Sequence, residues 1–439
     1  MKKTLCVLSA MTLLLTGCSG IKLDNTEEQP KSTEYVDLRL GKDYTDLKTS
    51  ITVLTHRTDI IQDTEADNEL PDYAKKFNKL YPNITIVYEG VTDYDFDVKN
   101  RLSSGKYGDV LYIPAELQNS DLSQYFVSLG TVSSFCNRYN FIESKAYEDT
   151  VYGIPSGINA QGIVYNKKVF KEAGITELPK TPDEFIADLK LIKDNTDATP
   201  LYTNYAAEWP LVTWDFNAFT NTTNANYKNE YAVNATDLFS KHTDGTGPYE
   251  VYNILYTAAN EGLIEEDPAK TSWEMSKAYM NSGDIGTMVL GSWAVSQIQG
   301  AGDFADDIDY MPFPISIDGK QYSLAGSDYC YAVNNNIDED KQIAAKLYIK
   351  FMIEQSRYDY NNSSIPVVKD NEYPMAFANF VGVELLPDII TSKEFDDKNA
   401  NSGLNINSDA SHIVELIDRA IKGDNFDDIM NDWNDKWNS

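Results

Sequence analysis

The sequence predicts an α/β protein built from two lobes, on the basis of three observations. Between residues 51 and 113, short segments rich in β-branched residues alternate with helix-spaced apolar residues, the order found in an α/β sheet. The chain has 439 residues, more than a single hydrophobic core usually serves. Residues 152–167, YGIPSGINAQGIVYNK, interrupt the pattern with three glycines and a proline where the first sheet ends. Such residues can absorb the backbone rotation of a hinge.

The N-terminus has the pattern of a secreted, lipid-anchored protein. Residues 2–3 are lysines, and residues 5–15 are largely apolar but too few to span a bilayer, which is the secretory pattern. The motif LTGC that ends at Cys18 resembles the lipobox of bacterial lipoproteins, in which cleavage occurs before the cysteine and the cysteine carries lipid. We therefore expect a signal peptide over residues 1–17 and an extracytoplasmic chain anchored to the cell membrane. An ordinary signal peptide with a chance cysteine is the alternative.

A polar segment separates this motif from the folded chain. Residues 18–48 are rich in charged and polar side chains and have few aromatic ones. A segment of this kind buries too little apolar surface to offset the entropy lost on ordering. The sequence therefore predicts a flexible tether through residue 48.

Charge and composition exclude several classes of function. The net charge is −31, with 68 acidic and 37 basic residues, which argues against nucleic acid and against a protein body that lies on anionic lipid. Solubility alone explains this charge. Three histidines, far apart in the chain, make a histidine-built zinc site improbable, and no metal or cofactor is expected. Once residues 1–17 are removed and Cys18 is lipidated, only Cys136 and Cys330 remain, and we expect buried thiols, with a disulfide as the alternative.

The individual elements follow from local patterns. In the first part of the chain the predicted elements are a strand at 51–55, a polar loop at 56–59, a helix with apolar residues from 70 to 80 that ends at Pro82, and strands at 84–88 and 109–113. The later predicted elements are helices at 167–173, from 182 and from 293, strands at 285–290 and 329–333, and helices at 343–353, 413–421 and 426–437. Thr181-Pro182-Asp183-Glu184 matches a capping box with proline at the first helical position.

Glycine and proline interruptions predict where the chain crosses between the lobes. The first lies in residues 152–167, the second near 310–314 and the third near 363–367. Three crossings would make both lobes discontinuous and leave a cleft between them. The predicted lobes are residues 49–155 plus 315–365 and residues 156–314 plus 366–439.

Most catalytic motifs do not fit the sequence. The glycines of residues 152–167 match neither a dinucleotide fingerprint nor a P-loop, and Ser156 does not lie in a nucleophile elbow. With 68 acidic residues, a carboxylate pair suited to glycoside hydrolysis remains possible, although no pair stands out.

Two longer motifs identify a family. The segment VYGIPSGINAQGIVYNKKVFKEAGITELPKTPDEF resembles the most characteristic region of family 1 extracellular solute-binding proteins, the sugar-binding components of ABC importers, of which maltose-binding protein is a distant relative. NSGDIGTMVLGSW is similar to a later block of the same family, with Gly286-Thr287 in place of the usual alanine before the methionine. The resemblance extends over about 51 to 370, with YPNITIVYEG and YGDVLYIP similar to the family's early strands.

The resemblance implies a two-lobe, periplasmic-binding-protein-like fold of type II, with mixed sheets flanked by helices. It implies a monomer that performs no chemistry, closes on a carbohydrate and delivers it to the permease subunits of an ABC importer. It also implies ligand-binding positions, which are His56, Arg57 and Asp59 after the first strand, Glu116 after the strand at 109–113, Asn159, Trp209 or Trp214, Trp293, and the loop Gly326-Ser327-Asp328. A core position for either Trp209 or Trp214 is left open, and no residue is assigned in the C-terminal segment, which aligns with no pattern.

Two alternatives to a sugar-binding protein stay open. The same fold could bind a different solute such as a polyamine, for which carboxylates and aromatic rings are available. A surface glycosidase is the alternative from another class. The sequence does not choose the sugar, its length or its linkage.

Overall fold

The computed structural model describes residues 32–57, 61, 73–91, 93–115 and 117–439. The strands, in chain order, are β1 (Thr49–Thr55), β2 (Ile84–Gly90), β3 (Val110–Tyr112), β4 (Gly130–Thr131), β5 (Ala146–Tyr147), β6 (Thr150–Val151), β7 (Ile154–Pro155), β8 (Ile158–Asn166), β9 (Thr199–Leu201), β10 (Ile285–Gly291), β11 (Ile308–Met311), β12 (Ser316–Ile317), β13 (Lys320–Ser327), β14 (Cys330–Val333) and β15 (Glu384–Pro387).

The helices are distributed over both lobes. In chain order they are α1 (Tyr73–Asn78), α2 (Tyr94–Leu102), α3 (Leu122–Tyr125), α4 (Val132–Phe135), α5 (Lys167–Ala173), α6 (Pro182–Asn195), α7 (Val212–Ala218), α8 (Pro248–Asn260), α9 (Trp273–Ser282), α10 (Trp293–Gln299), α11 (Glu339–Glu354), α12 (Tyr358–Asn361), α13 (Lys393–Ser402), α14 (Ser411–Lys422) and α15 (Phe426–Trp437). None of the helices in the described part of the chain combines the length and the apolar character that a membrane span requires.

The first lobe is built on a five-stranded mixed sheet. Its strand order is β2-β1-β3-β14-β7, with β1 parallel to β2 and β3 and with β14 antiparallel to β3 and β7. All three residues of β3 are buried, as expected for a central strand covered on both faces. Helix α11 packs against β1 and β14 and buries most of its length.

The second lobe contains a longer sheet with the order β12-β13-β8-β10-β9, to which β11 and β15 add at β8 and β13. Every residue of β10 is buried. Helix α6 begins with the predicted capping box, in which the Thr181 side chain accepts from the Glu184 N–H and the Glu184 carboxylate accepts from the Thr181 N–H. Its buried face consists of Phe185, Leu189 and Ile192, so the sequence pattern predicts this helix and its orientation.

The second crossing between the lobes lies later than the sequence predicts. Strand β13 pairs with β8 in the second sheet, and the chain enters the first sheet only at β14, so the crossing occupies residues 328–329. The prolines near 312 lie between β11 and β12, both of which belong to the second sheet. Proline ends a strand because it lacks the N–H that strand pairing needs. Here the prolines end β11, and the chain continues into the β12–β13 hairpin of the same lobe.

The end of the predicted tether is packed onto the first lobe. Tyr35 and Leu38 are buried, and the Tyr35 ring stacks on Phe135 with centroids 5.6 Å apart. The Lys350 ammonium lies 4.7 Å from the centroid of the Tyr35 ring. The prediction of a flexible chain through residue 48 is therefore wrong for residues 33–48, because buried side chains and hydrogen bonds from Lys346 and Lys350 to backbone carbonyls hold this segment on the lobe.

The two cysteines of the folded chain are free thiols within the described structure. Cys330 is buried at the start of β14, and burial raises the pKa of its thiol to about 11. Cys136 is exposed, so the prediction of two buried thiols is wrong for this residue.

Candidate functional site

Four strands of the second sheet reach the same edge, which we call the cleft edge. The end of β13 lies beside the start of β8, with Gly326 opposite Asn159. The end of β10 lies on the other side of β8, with Gly291 opposite Gln161. The chain leaves β15 beside β13, where the Asp388 N–H donates to the Ala325 carbonyl at 2.9 Å. Residues that follow strands at one edge of a sheet commonly form the ligand site of an α/β protein.

The chain crosses between the lobes at this edge. The Asp328 N–H donates to the Gly157 carbonyl at 2.9 Å, which joins the first two crossings. Ile158 and Ile365 exchange a pair of backbone hydrogen bonds of 3.0 and 2.8 Å. These bonds place the third crossing, near Ile365, beside the first. The predicted interruptions at 152–167 and 363–367 thus lie side by side, as a hinge between two lobes requires.

A cavity of about 730 Å³ opens at the cleft edge, within the range of small-molecule sites. Both lobes contribute to it. Its described lining residues are Ile113, Ala115, Ser144, Lys145, Phe216, Lys228, Gly326, Ser327, Asp328, Tyr329, Cys330, Asp388, Ile389, Ile390, Thr391 and Asn407. Hydroxyl, amide, ammonium and carboxylate groups therefore surround an interior that also has apolar walls.

Two of the charged lining groups have protein partners at the rim. The Lys145 ammonium donates to the carbonyls of Ala115 and Leu117 at 3.2 and 3.3 Å, and burial lowers its pKa. The Asp328 carboxylate accepts from the Ser156 hydroxyl at 3.4 Å. Burial raises the pKa of Asp328, and the Arg57 guanidinium partly offsets this. These contacts fix both charged groups at the wall of the cavity.

The other two charged groups, Lys228 and Asp388, influence each other. Burial lowers the pKa of the Lys228 ammonium, and the Asp388 carboxylate opposes this effect more strongly than the next acidic residue, Asp215. Burial raises the pKa of Asp388, and Lys228 opposes that shift. Each group therefore has the other as its main opposite charge, although Asp388 keeps part of its surface exposed to solvent.

Three tryptophans cluster beside the end of β10, and we call them the tryptophan cluster. The ring centroids of Trp209 and Trp293 are 5.7 Å apart, those of Trp209 and Trp273 are 5.2 Å apart, and those of Trp273 and Trp293 are 5.7 Å apart. Trp293 begins α10 directly after β10, as predicted, and Trp209 is 47% exposed. Trp273 is not among the residues predicted from the sequence, because nothing around it distinguishes it from a core tryptophan.

The structure places the remaining predicted residues differently. Trp214 is buried and packs edge-on against Phe313 in the second core, so the core position left open by the sequence applies to it and it has no face for a ligand. Asn159 accepts from the Ser364 hydroxyl at 3.4 Å beside the hinge. Asp59, Glu116 and Cys18 lie outside the described residues.

His56 and Arg57 follow β1 and have contacts within the first lobe. The His56 ring lies 4.7 Å from that of Tyr329 and also contacts Tyr94 and Tyr112. The Arg57 guanidinium donates to the Asn362 side chain at 2.8 Å and to the Tyr358 hydroxyl. Both residues therefore support the wall of the cleft, and the Arg57 guanidinium also acts on Asp328 as a nearby positive charge.

No site residue is predicted in the C-terminal segment, but several residues of that segment line the cavity. Residues 388–391 follow β15, and Asn407 approaches from the loop before α14. The Asn407 N–H donates to the Asp215 carboxylate at 2.8 Å, which fixes that loop. No short motif marks residues 388–391 because their place depends on β15 pairing with β13, about 60 residues earlier in the chain.

A family model described as bacterial extracellular solute-binding protein matches residues 62–356, which is more than half of the chain. This chain is a bacterial extracellular solute-binding protein. The predicted two-lobe, type II α/β fold is confirmed by solved solute-binding proteins that share it. RafE of Streptococcus pneumoniae, a solute-binding protein solved without ligand, shares this fold with a TM-score of 0.67 over 89% of this chain and 98% of its own, at 19% identity.

More similar relatives of this solute-binding protein have known ligands. A manno-oligosaccharide-specific solute-binding protein of Bifidobacterium animalis subsp. lactis, solved with mannotriose, is 40% identical, with a TM-score of 0.81 over 92% of this chain and 97% of its own. A second binding protein of an ABC transporter from that organism, solved with mannobiose, is 41% identical with the same TM-score and coverage. The multiple sugar-binding protein of Streptococcus mutans is 25% identical over 82% of this chain and 81% of its own.

Proposed function

We propose that this solute-binding protein captures an oligosaccharide of mannose units between its lobes and delivers it intact to an ABC importer. The main support is the 40% identity, over nearly the whole chain, to a manno-oligosaccharide-specific protein. The multiple sugar-binding relative supports a carbohydrate more generally.

The groups at the cleft edge suit a carbohydrate. Sugar hydroxyls both donate and accept hydrogen bonds, and the cavity offers acceptors such as Asp388 and donors such as Lys228. The apolar faces of sugar rings pack against aromatic side chains, which the tryptophan cluster provides, with Trp209 the most accessible member. Of the predicted ligand-binding residues, we retain Trp293, Trp209, Asn159, Gly326, Ser327 and Asp328.

A polyamine is a weaker candidate for the same cleft. A polycation requires several carboxylates without competing ammonium groups, whereas Lys145 and Lys228 accompany Asp328 and Asp388 in the described lining. Each ammonium group of a polyamine would meet a lysine as well as an aspartate in this cleft. Its charge would therefore be poorly compensated, which is costly. A glycosidase would alter the sugar, whereas a binding protein releases it unchanged.

Delivery requires a tethered protein that closes around its ligand. We propose that Cys18 carries the lipid and that residues up to the packed Tyr35 form the tether, which keeps a monomer close to the permease. Closure would be a shift toward a conformation in which both lobes contact the sugar. The three adjoining crossings at Gly157, Asp328 and Ile365 are the proposed hinge.

Calorimetry with a panel of ligands tests this proposal. We expect mannobiose and mannotriose to bind with micromolar or lower Kd and to raise the Tm by ligand linkage. Maltotriose, raffinose, chitotriose and spermidine serve as controls and should bind more weakly. Chromatography of the sugar after incubation should recover it intact. Binding of spermidine in preference to every sugar, or release of shorter sugars, would contradict the proposal.

A further inference from the structure

The cleft edge has two chemically different ends. The strand order β15-β13-β8-β10-β9 places the cavity residues after β13 and β15 at one end and the tryptophan cluster after β10 at the other. Neighbouring strands lie about 4.8 Å apart, so β13 and β10 are separated by roughly 10 Å and β15 and β10 by roughly 14 Å. None of the three tryptophans is among the described residues that line the cavity.

The far end of the cavity is formed by segments that no motif in the sequence marks. Asp388 follows β15 and lies close to β13, since a Cβ added at Gly326 would come within 3.3 Å of the Asp388 Cβ. The bare backbone at Gly326 is what admits this carboxylate to the cavity. Lys228 lies beside the segment that follows β15, since the neighbouring Asn229 side chain donates to the Ile390 carbonyl at 3.0 Å. The Lys228 ammonium lies 5.8 Å from the centroid of the Phe219 ring.

The opposite charges of Lys228 and Asp388 determine which chemical groups fit between them. A hydroxyl of an uncharged sugar unit can donate a hydrogen bond to the carboxylate, and another can accept one from the ammonium, so both charged groups keep a partner. A ligand carboxylate would compete with Asp388 for the ammonium, and a ligand ammonium would compete with Lys228 for the carboxylate. Either ligand would place a like charge beside Asp388 or Lys228, which line the same cavity.

We propose that this end of the cavity is a separate subsite, defined by Lys228 and Asp388, that receives the terminal unit of an uncharged oligosaccharide. The following units extend along the cleft edge to the tryptophan cluster. This inference rests on the proposed function and adds to it the minimum length of the ligand, its orientation and the basis for rejecting charged sugars. A single ring is too short to contact both ends.

Wild-type protein provides the first test. Calorimetry should give a mannotriose affinity at least about tenfold higher than that of mannose, because two surfaces contribute to binding. Trimannuronate and the trimer of glucosamine match mannotriose in length but carry charge, and each should bind at least about tenfold more weakly. Equal affinity for mannose and mannotriose, or for charged and uncharged trimers, overturns the proposed subsite.

Two variants test the pair itself. Asp388→Asn leaves the Lys228 ammonium without its opposite charge, so the affinity for trimannuronate should rise about tenfold relative to that for mannotriose. Lys228→Met should instead raise the affinity for the glucosamine trimer. Trp209→Ala is the matched variant at the opposite end of the cleft edge. It should weaken the binding of mannotriose more than that of mannobiose and leave the preference for uncharged over charged trimers unchanged. An identical charge preference in all three variants overturns the proposal.

The outcomes separate the subsite from the proposed function. Failure of every uncharged oligosaccharide to bind the wild-type protein overturns the proposed function and the subsite together. Normal mannotriose binding with no preference against charged trimers overturns the subsite alone. Thermal melting followed by circular dichroism shows whether each variant is folded. If a variant does not fold, the affinities of the wild-type protein for charged and uncharged trimers test the subsite.

Discussion

The backbone N–H of Asp328 donates a 2.9 Å hydrogen bond to the carbonyl oxygen of Gly157. The two residues lie 171 positions apart, and each belongs to a crossing between the lobes. The same aspartate accepts from the Ser156 hydroxyl through its side chain and lines the cavity. The proposed hinge and the candidate ligand site are therefore adjacent, so a ligand that contacts Asp328 would act directly on the segment that is proposed to rotate.

Gly157→Ala should destabilise the hinge. A Cβ at this position would lie 2.6 Å from the Ser364 Cβ, and that atom is fixed close to the backbone. We expect a loss of about 1–3 kcal/mol in the free energy of unfolding, measured by urea denaturation. Gly300→Ala is the matched control, because its nearest neighbour would be 3.4 Å away. Equal stability of the two variants would show that the crossings can move apart freely.

Trp293→Ala should weaken sugar binding without unfolding the protein. Trp293 contacts both other members of the tryptophan cluster, and loss of its ring removes packing area worth about 1.5–3 kcal/mol. This corresponds to about a 10- to 100-fold increase in Kd for mannotriose. Phe304→Ala, which removes a ring with 53% exposure elsewhere in the second lobe, is the control. An unchanged Kd for Trp293→Ala excludes this residue as a sugar platform.

Asp215→Ala should be strongly destabilising. The buried Asp215 carboxylate accepts hydrogen bonds from Tyr252, His412 and the Asn407 N–H at 2.8, 2.9 and 2.8 Å. Removing the acceptor leaves two buried donors and the partly buried Asn407 N–H unpaired, and we expect a loss of about 3–5 kcal/mol, measured by urea denaturation. Asp427→Ala, which removes one hydrogen bond to Tyr249 near the surface, should cost about 1 kcal/mol. A similar cost for both would contradict a special role of the buried carboxylate.

Asp188→Asn should stabilise the protein at neutral pH. Burial, together with the Glu184 carboxylate, raises the pKa of Asp188 to about 6. The folded chain therefore binds this proton more tightly than the unfolded chain, so stability falls as pH rises from about 4 to 6. Because the group is half-exposed, we expect a gain of about 1 kcal/mol at pH 7 that disappears near pH 4. Asp194→Asn, exposed on the same helix, is the control in pH-dependent urea denaturation.

Tyr35→Ala should release the N-terminal segment from the first lobe. The substitution removes the ring that stacks on Phe135 and lies under the Lys350 ammonium. Hydrogen exchange in residues 33–48 should become faster, with a loss of about 3–4 kcal/mol of stability. Val36→Ala, which truncates a half-buried side chain in the same turn, should leave exchange nearly unchanged. Slow exchange in Tyr35→Ala would show that other contacts hold the segment.

Local sequence patterns predicted much of the fold. The capping box at Thr181 and the glycine that ends α5 at Gly174 were found as expected, because a cap is decided by residues three or four positions apart. The strands at 84–88 and 109–113 follow from runs of β-branched and apolar side chains. Trp293 also follows from a local signal, since it comes directly after a buried strand.

The sequence by itself determined the α/β class, the positions of most helices and strands, and the family, because each is encoded in short segments and motifs. Only the tertiary structure decided that β13 stays in the second sheet, that Trp214 belongs to the core while Trp209 is exposed, and that Asp388 and Asn407 reach the cavity. The physical reason is the range of the interactions: these outcomes depend on strand pairing and burial between residues far apart in the chain, and such pairing leaves no periodic signal in either partner alone.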